Sequence, residues 1–201
     1  MAAGLAHEIR SPLAAVKAAV EVLRDTEHFS NEGREITFEI DAEIRKVDRV
    51  LQQFLDFTTE PAPNMEPVFL DVVVDAVREM LPDGAENIRV SRLPASLQLR
   101  CDAAMLQSVL FELLQNGVEH GGGPVQLRVN SGGNKVQIEI RNKRRVMEPE
   151  VVSNLFRPFF STVSGRAGLG LCIVARRLAA MKGSIRVLPG RKGFEITLVK
   201  G

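Results

Sequence analysis

The sequence predicts an α+β chain in two parts: a helical hairpin, then a two-layer sandwich of helices on a mostly antiparallel sheet. Three observations carry that prediction. Apolar residues recur at helical spacing through roughly the first sixty residues. Pro61, Pro63 and Pro67 then interrupt the chain. Beyond them, short runs of alternating polarity, the mark of strands, appear between helical stretches.

The elements follow in order. Leu5, Ile9, Leu13, Val16, Val20 and Leu23 fall on one face of a helix over residues 2–24. A polar break over 25–34 contains Ser30, Asn31 and Gly33, and a second helix is expected from about residue 35 to residue 57. Its apolar positions Ile40, Ile44, Val47, Leu51 and Phe54 form a heptad seam. Two helices cannot cover their own apolar faces, whereas two hairpins can, as a four-helix bundle. A homodimer through residues 1–60 is therefore expected, with packing of the hairpin on its own chain as the alternative. Residues 61–67 read as a linker and 68–201 as a second domain. Within it, 70–81 is helical, and 88–93 and 97–101 are short strands. Asp102 caps a helix reaching about His120. Residues 125–130 and 135–141 make a hairpin across Gly132, Gly133 and Asn134. A short helix over 149–156 precedes a longer one over 168–181, with Gly183 as its C-cap, and a last hairpin turns at Pro189 and Gly190.

Composition excludes several classes. The 201 residues are 45% hydrophobic and 25% charged, with a net charge of +1. That balance gives no global argument for nucleic acid or an anionic membrane. No apolar run approaches the ~20 residues of a membrane span, and no signal peptide is recognisable. Cys101 and Cys172 lie far apart with no CxxC, so no zinc site is expected, and a reducing cytoplasm is the simplest setting.

Three segments carry chemistry. His7 lies in a helix with Glu8 beside it, a carboxylate able to accept a ring proton or fix the tautomer. Pro12 crowds the carbonyl of Glu8 and predicts a bend there, at roughly 3 kcal/mol for an interior proline. Glu112, Asn116 and His120 stand one turn apart on a helix whose other side holds Leu110, Leu113 and Leu114. Oxygen ligands at that spacing suit an octahedral Mg²⁺ held partly by substrate phosphates, and a solvated helix face is the alternative. Gly165, Gly168 and Gly170 open the last long helix, where backbone N–H groups can approach phosphate.

The order HEIRSPL, ELLQNGVEH, LFRPFFST and GLGL resembles the H, N, F and G2 boxes of sensor histidine kinases, and the resemblance covers essentially the whole chain. It implies a dimerisation and phosphotransfer hairpin followed by an ATP-binding domain of the GHKL type. By that resemblance His7 is the phosphoacceptor, Glu8 the general base, and Ser11 stands where a Thr or Asn usually orients water for dephosphorylation. Asn116 is a Mg²⁺ ligand and Glu112 a second one. His120, Asn142, Gly168, Leu169 and Gly170 complete an ATP site, and a response regulator receiver domain takes the phosphoryl group. A sensor module is expected to lie outside this chain, because His7 follows Met1 so closely.

The pattern breaks at the G1 box, Asp-x-Gly-x-Gly, whose aspartate accepts the adenine amino group. Its three positions fall at Asn142, Arg144 and Val146, in a basic segment with Arg141, Lys143 and Arg145. Losing a charged hydrogen bond for a neutral one removes roughly 1–2 kcal/mol, about 5- to 30-fold in affinity. The lid between Thr162 and Gly165 is very short, and Glu119 replaces a lysine common in the family. Two readings stay open: a kinase core with weak ATP binding, and a degenerate core acting as a phosphotransfer or phosphatase scaffold or a docking dimer.

Overall fold

The structure, a computed structural model, describes residues 2–24, 30–59, 62–81, 87–91, 93–121, 124–142, 146–163 and 167–201; within its helices, the side chains of residues 2–8, 10, 11, 24, 31, 120 and 121 lie outside that description. It divides into two compact units, one built on Met1–Glu60, the other on Pro61–Ser164 with Gly168–Gly201.

The first unit is a pair of packed helices, α1 (Ala2–Arg24) and α2 (Asn31–Thr58). Helix α1 runs through Pro12 without interruption. Helix α2 begins four residues earlier than expected, because Ser30 is its N-cap and its hydroxyl accepts from the Gly33 N–H at 3.1 Å. The heptad seam is split. Ile44 and Leu51 are 6% and 8% exposed, whereas Ile40 and Val47 remain 39% and 44% exposed. Thr37 and Asp41 continue the buried side, and Arg45 pairs with Asp41. Ile9, Val16 and Leu23, spaced by heptads on α1, are also exposed. A hairpin with apolar residues on two faces buries only one of them by itself.

The second unit contains strand β1 (Glu66–Phe69), helix α3 (Leu70–Met80), strands β2 (Ile88–Ser91) and β3 (Gln98–Cys101), and helix α4 (Ala103–Gly121). Strands β4 (Val125–Gly132) and β5 (Lys135–Asn142), helices α5 (Pro149–Asn154) and α6 (Gly170–Ala180), and strands β6 (Ser184–Val187) and β7 (Gly193–Val199) follow. A five-stranded sheet has the order β2-β4-β5-β7-β6, antiparallel except for the β2–β4 pair. Strands β1 and β3 form a separate antiparallel ribbon.

Strand β1 corrects the expected linker, which ran to residue 67. Pro67 cannot donate to a ladder, but a two-stranded ribbon leaves every strand an edge where that is tolerated. The preceding segment is fastened too: Asp102 accepts from the Asn64 N–H through Oδ2 at 2.8 Å and from the Met105 N–H through Oδ1 at 2.8 Å. One carboxylate thus caps α4 and ties down the chain entering β1. The end of α6 also differs from expectation. Lys182, not Gly183, takes the left-handed conformation (φ 58°), while the Gly183 N–H reaches the Leu178 carbonyl at 2.7 Å. Gly183 is needed for space, since a Cβ there would lie 2.7 Å from the Thr197 carbonyl oxygen.

The core lies between the helices and one sheet face. Leu106, Val109, Leu110, Leu113 and Leu114 of α4 are fully buried among Val125, Leu127, Val136, Ile138, Ile140, Val174, Leu178 and Ile196. The other sheet face is polar, with Arg128, Glu139, Glu195 and Arg186 in register across four strands and Arg186 Nε donating to Glu195 Oε1 at 2.7 Å.

Two predictions follow from this packing. Asp102→Ala removes a cap and a long-range tether and should cost about 1–3 kcal/mol, read as a lower urea midpoint at unchanged slope. The Cys101 thiol is pushed up from 9.0 to about 11 by burial first, with Asp102 and Glu66 adding to the shift. The unfolded thiol ionises before the folded one, so stability present below about pH 9 is lost as pH rises toward 11. Cys101→Val should flatten that part of the stability–pH curve in urea titrations.

Candidate active site

The site is built on α4. Its apolar residues occupy the faces toward α3, α6 and the sheet, which leaves a single polar stripe for Glu112 and Asn116. Both are half-buried, and Asn116 Nδ2 donates to Glu112 Oε1 at 3.3 Å. That bond turns the Asn116 carbonyl oxygen away from the carboxylate, so the pair presents oxygen donors. One residue further, Gly117 marks a close approach. A Cβ there would lie 2.8 Å from Val125 Cγ2 and 3.2 Å from Asn142 Oδ1.

The start of α6 completes the cluster. Gly168 has φ +66°, and a Cβ on it would lie 2.6 Å from the Phe160 carbonyl oxygen and 2.7 Å from the Phe159 carbonyl carbon. Phe159 is itself left-handed (φ 65°) with an exposed ring. Gly170 opens α6 directly against Glu112, whose Cδ would lie 2.7 Å from a Cβ at that position. Leu169 has its side chain enclosed in the protein rather than offered to a ligand, and its carbonyl accepts from the Ile173 N–H (3.0 Å) and Cys172 Sγ (2.9 Å). Burial pushes the Cys172 thiol up, against the pull of the Ile173 backbone and Arg176.

The structure thus brings together Glu112, Asn116 and Gly170, and places Asn142 beside Gly117. His120 ends the same helix, but its side chain lies outside the described residues, as do Lys143, Arg144, Arg145 and Gly165. His7, Glu8 and Ser11 fall within α1 of the other unit, with their side chains outside the description. Gly117 and the left-handed Phe159 escaped sequence reasoning. The Asn-Gly pair at 116–117 was the only signal for the first, and nothing in the sequence marks the second.

Residues 101–200 match the family described as Histidine kinase-, DNA gyrase B-, and HSP90-like ATPase, and residues 1–63 match the His Kinase A (phospho-acceptor) domain. The chain belongs to the sensor histidine kinases. Among its relatives, the sensory histidine kinase/phosphatase NtrB of Rhodobacter capsulatus is 31% identical over 98% of this chain and 61% of its own length. The histidine-protein kinase AtoS of Escherichia coli is 28% identical over 98% of this chain and 34% of its own. The chain therefore spans between about a third and three-fifths of these two relatives. Two solved structures, one of them of a histidine kinase, share the fold. Full-length ShkA in complex with AMPPNP superposes with a TM-score of 0.83 at 23% identity, over 100% of this chain and 45% of that one. ThkA in complex with the response regulator TrrA gives 0.68 at 21% identity, over 99% and 60%.

Gly168→Ala sets a Cβ against backbone in a left-handed conformation, whereas Gly170→Ala meets only the end of the Glu112 side chain. Gly168→Ala should lower stability by about 2 kcal/mol or more and Gly170→Ala by less than about 1, compared by thermal unfolding of the two variants.

Proposed function

We propose that this chain is the transmitter core of a sensor histidine kinase, which transfers the γ-phosphoryl group of ATP to His7 and then to an aspartate of a response regulator. One observation carries the proposal: a single chain joins a phospho-acceptor hairpin match at residues 1–63 to an ATPase-domain match at 101–200. Residues 1–60 form the dimerisation and phosphotransfer unit, and the nucleotide-binding domain follows the Pro-rich junction, with its first strand at Glu66. The exposed Ile40 and Val47 of α2, with Ile9, Val16 and Leu23 of α1, supply an apolar surface that a second hairpin covers in a homodimer.

In the first step an imidazole nitrogen of His7 forms a bond to the γ-phosphorus as the bond to the β,γ-bridging oxygen breaks, and ADP leaves. Glu8 accepts the proton of the other ring nitrogen or holds it, which keeps the attacking nitrogen's lone pair available. In the second step the P–N bond breaks as a carboxylate oxygen of the response regulator bonds to phosphorus. Ser11 orients water in a separate hydrolysis, in which a water oxygen bonds to phosphorus as the bond to the response regulator's aspartate oxygen breaks and inorganic phosphate leaves. The nucleotide sits against α4 and the start of α6. There the backbone around Gly168, Leu169 and Gly170 holds phosphate oxygens, His120 lines the site, and Asn142 contacts the base.

Glu112 and Asn116 fit a Mg²⁺ ion, since they offer hard oxygen donors beside the phosphate-binding turn. Glu112 and Asn116 would hold such an ion through oxygen atoms, and a Mg²⁺ bound by one or two protein oxygens usually shares phosphate and water ligands. When bound, Mg²⁺ neutralises phosphate charge as the γ-phosphoryl group transfers. Among the described residues no helix is long and apolar enough to cross a membrane. Transfer in the cytoplasm, where ATP is plentiful, is part of this reading.

A second reading is favoured by the residues at 142, 144 and 146: the chain works as a phosphotransfer or phosphatase scaffold with little ATP turnover. Calorimetry with Mg²⁺-ADP and transfer of labelled phosphate from ATP separate the two. The kinase reading expects micromolar to submillimolar nucleotide binding that Asn116→Ala abolishes. It also expects label on His7 that His7→Gln abolishes without affecting nucleotide binding. Nucleotide binding without label on His7 would instead support the scaffold.

A further inference from the structure

Asn142 is an anomaly of the sheet. On β5, Val136, Ile138 and Ile140 form the buried series, and Asn142 is the next member, a polar side chain where the alternation calls for an apolar one. Its backbone is fixed by pairing with Val125 and by its N–H, which donates to the Lys192 carbonyl at 2.8 Å. Its side-chain oxygen lies 3.2 Å from the position a Cβ on Gly117 would take. That oxygen is buried and has no hydrogen-bond partner among the described residues. Buried acceptors are nearly always satisfied; this one is closed off as it stands and gives up no hydrogen bond when its side chain turns, so a donor on a ligand at this site can supply the partner it lacks. Phosphate oxygens are acceptors and cannot fill that role. The exocyclic group of a base can.

The chemistry of the amide then decides which bases are admitted. A carboxylate only accepts, so it favours a 6-amino purine and sets acceptor against acceptor when a 6-oxo purine enters. An asparagine offers an accepting oxygen and a donating NH₂ at nearly the same point, and its terminal torsion is broad and roughly two-fold. In one orientation Oδ1 accepts from the 6-amino group of adenine; turned by half a circle, Nδ2 donates to the 6-oxo group of hypoxanthine or guanine. We propose that Asn142 relaxes base selection in this site, so that 6-oxopurine nucleotides bind alongside adenine nucleotides. The inference rests on the nucleotide-binding reading above and extends it from adenine nucleotides to purine nucleotides with either substituent.

The test is calorimetric binding of ADP, IDP and GDP to the full chain, wild type and Asn142→Asp, with unfolding midpoints recorded for both. Diphosphates avoid turnover, and ADP and IDP differ only in the group at position 6 and the protonation of N1 that goes with it. The inference expects wild-type dissociation constants for ADP and IDP within about five-fold of each other. It expects Asn142→Asp to widen that ratio to roughly 100-fold in favour of ADP, the size of discrimination available when a buried polar group is left opposed. GDP should follow IDP in direction. Wild-type binding of ADP with rejection of IDP by about 100-fold overturns the inference. So does an Asn142→Asp variant that is folded and shifts both nucleotides equally or neither, because Asn142 then reads the sugar or no ligand at all. Failure of all three diphosphates to bind the wild type overturns the nucleotide-binding reading itself and takes the inference with it.

Discussion

The packing of α4 is the constraint on which the rest of the second unit depends. Five of its side chains (Leu106, Val109, Leu110, Leu113 and Leu114) are fully buried, each contributing about 1.5–3 kcal/mol relative to exposure. A helix buried against α3, α6 and two strands cannot rotate without exposing several of them. Its one polar stripe is therefore fixed in direction, and Glu112 and Asn116 point where the core dictates. Gly117 continues the constraint. Its missing side chain lets α4 settle against Val125, and the same space receives the Asn142 amide. Candidate site and core are thus two faces of one helix, and a substitution that loosens the leucines would displace the Glu112 and Asn116 side chains as well.

Much of this was legible in the sequence because the deciding signals are local. The run ELLQNGVEH states both the buried leucines and the polar stripe, and residues 125–142 alternate cleanly around a glycine turn. What was not legible depends on partners distant along the chain. Strand β1 exists because residues 98–101 offer it a ladder and Asp102 holds Asn64, whereas its own prolines argue for a linker. The heptad seam of α2 reads as one stripe, yet Ile44 and Leu51 are buried while Ile40 and Val47 are left exposed, a division that periodicity within one helix cannot contain. Lys182 takes the left-handed cap because the tight approach of Thr197 claims the neighbouring glycine for space.

The candidate site shows the same division. Glu112, Asn116 and the glycines of the α6 turn were picked out by spacing, and the structure sets Asn116 and Gly170 against the Glu112 carboxylate. Asn142 was reached only through a motif that it fails to match. The spacing could not reveal that its oxygen is buried against Gly117 with no donor among the described residues. An unmet acceptor is a property of three-dimensional surroundings, and a sequence holds no record of it.

Phe159 carries this reasoning one step further. A non-glycine residue at φ 65° costs roughly 1–2 kcal/mol, and a ring 66% exposed recovers little of that by burial. The backbone around it is packed closely enough to help hold that conformation. The Phe159–Phe160 peptide lies against Gly168, so close that even a methyl group would not fit, and Gly168 is itself left-handed. Two left-handed residues in contact therefore brace each other immediately before the turn that opens α6 against Glu112. The strain is local, but its consequence is positional: it fixes where the backbone N–H groups at the start of α6 begin relative to the polar stripe of α4. The spacing of those two elements therefore depends on Gly168, where a Cβ would lie 2.6 Å from the Phe160 carbonyl oxygen.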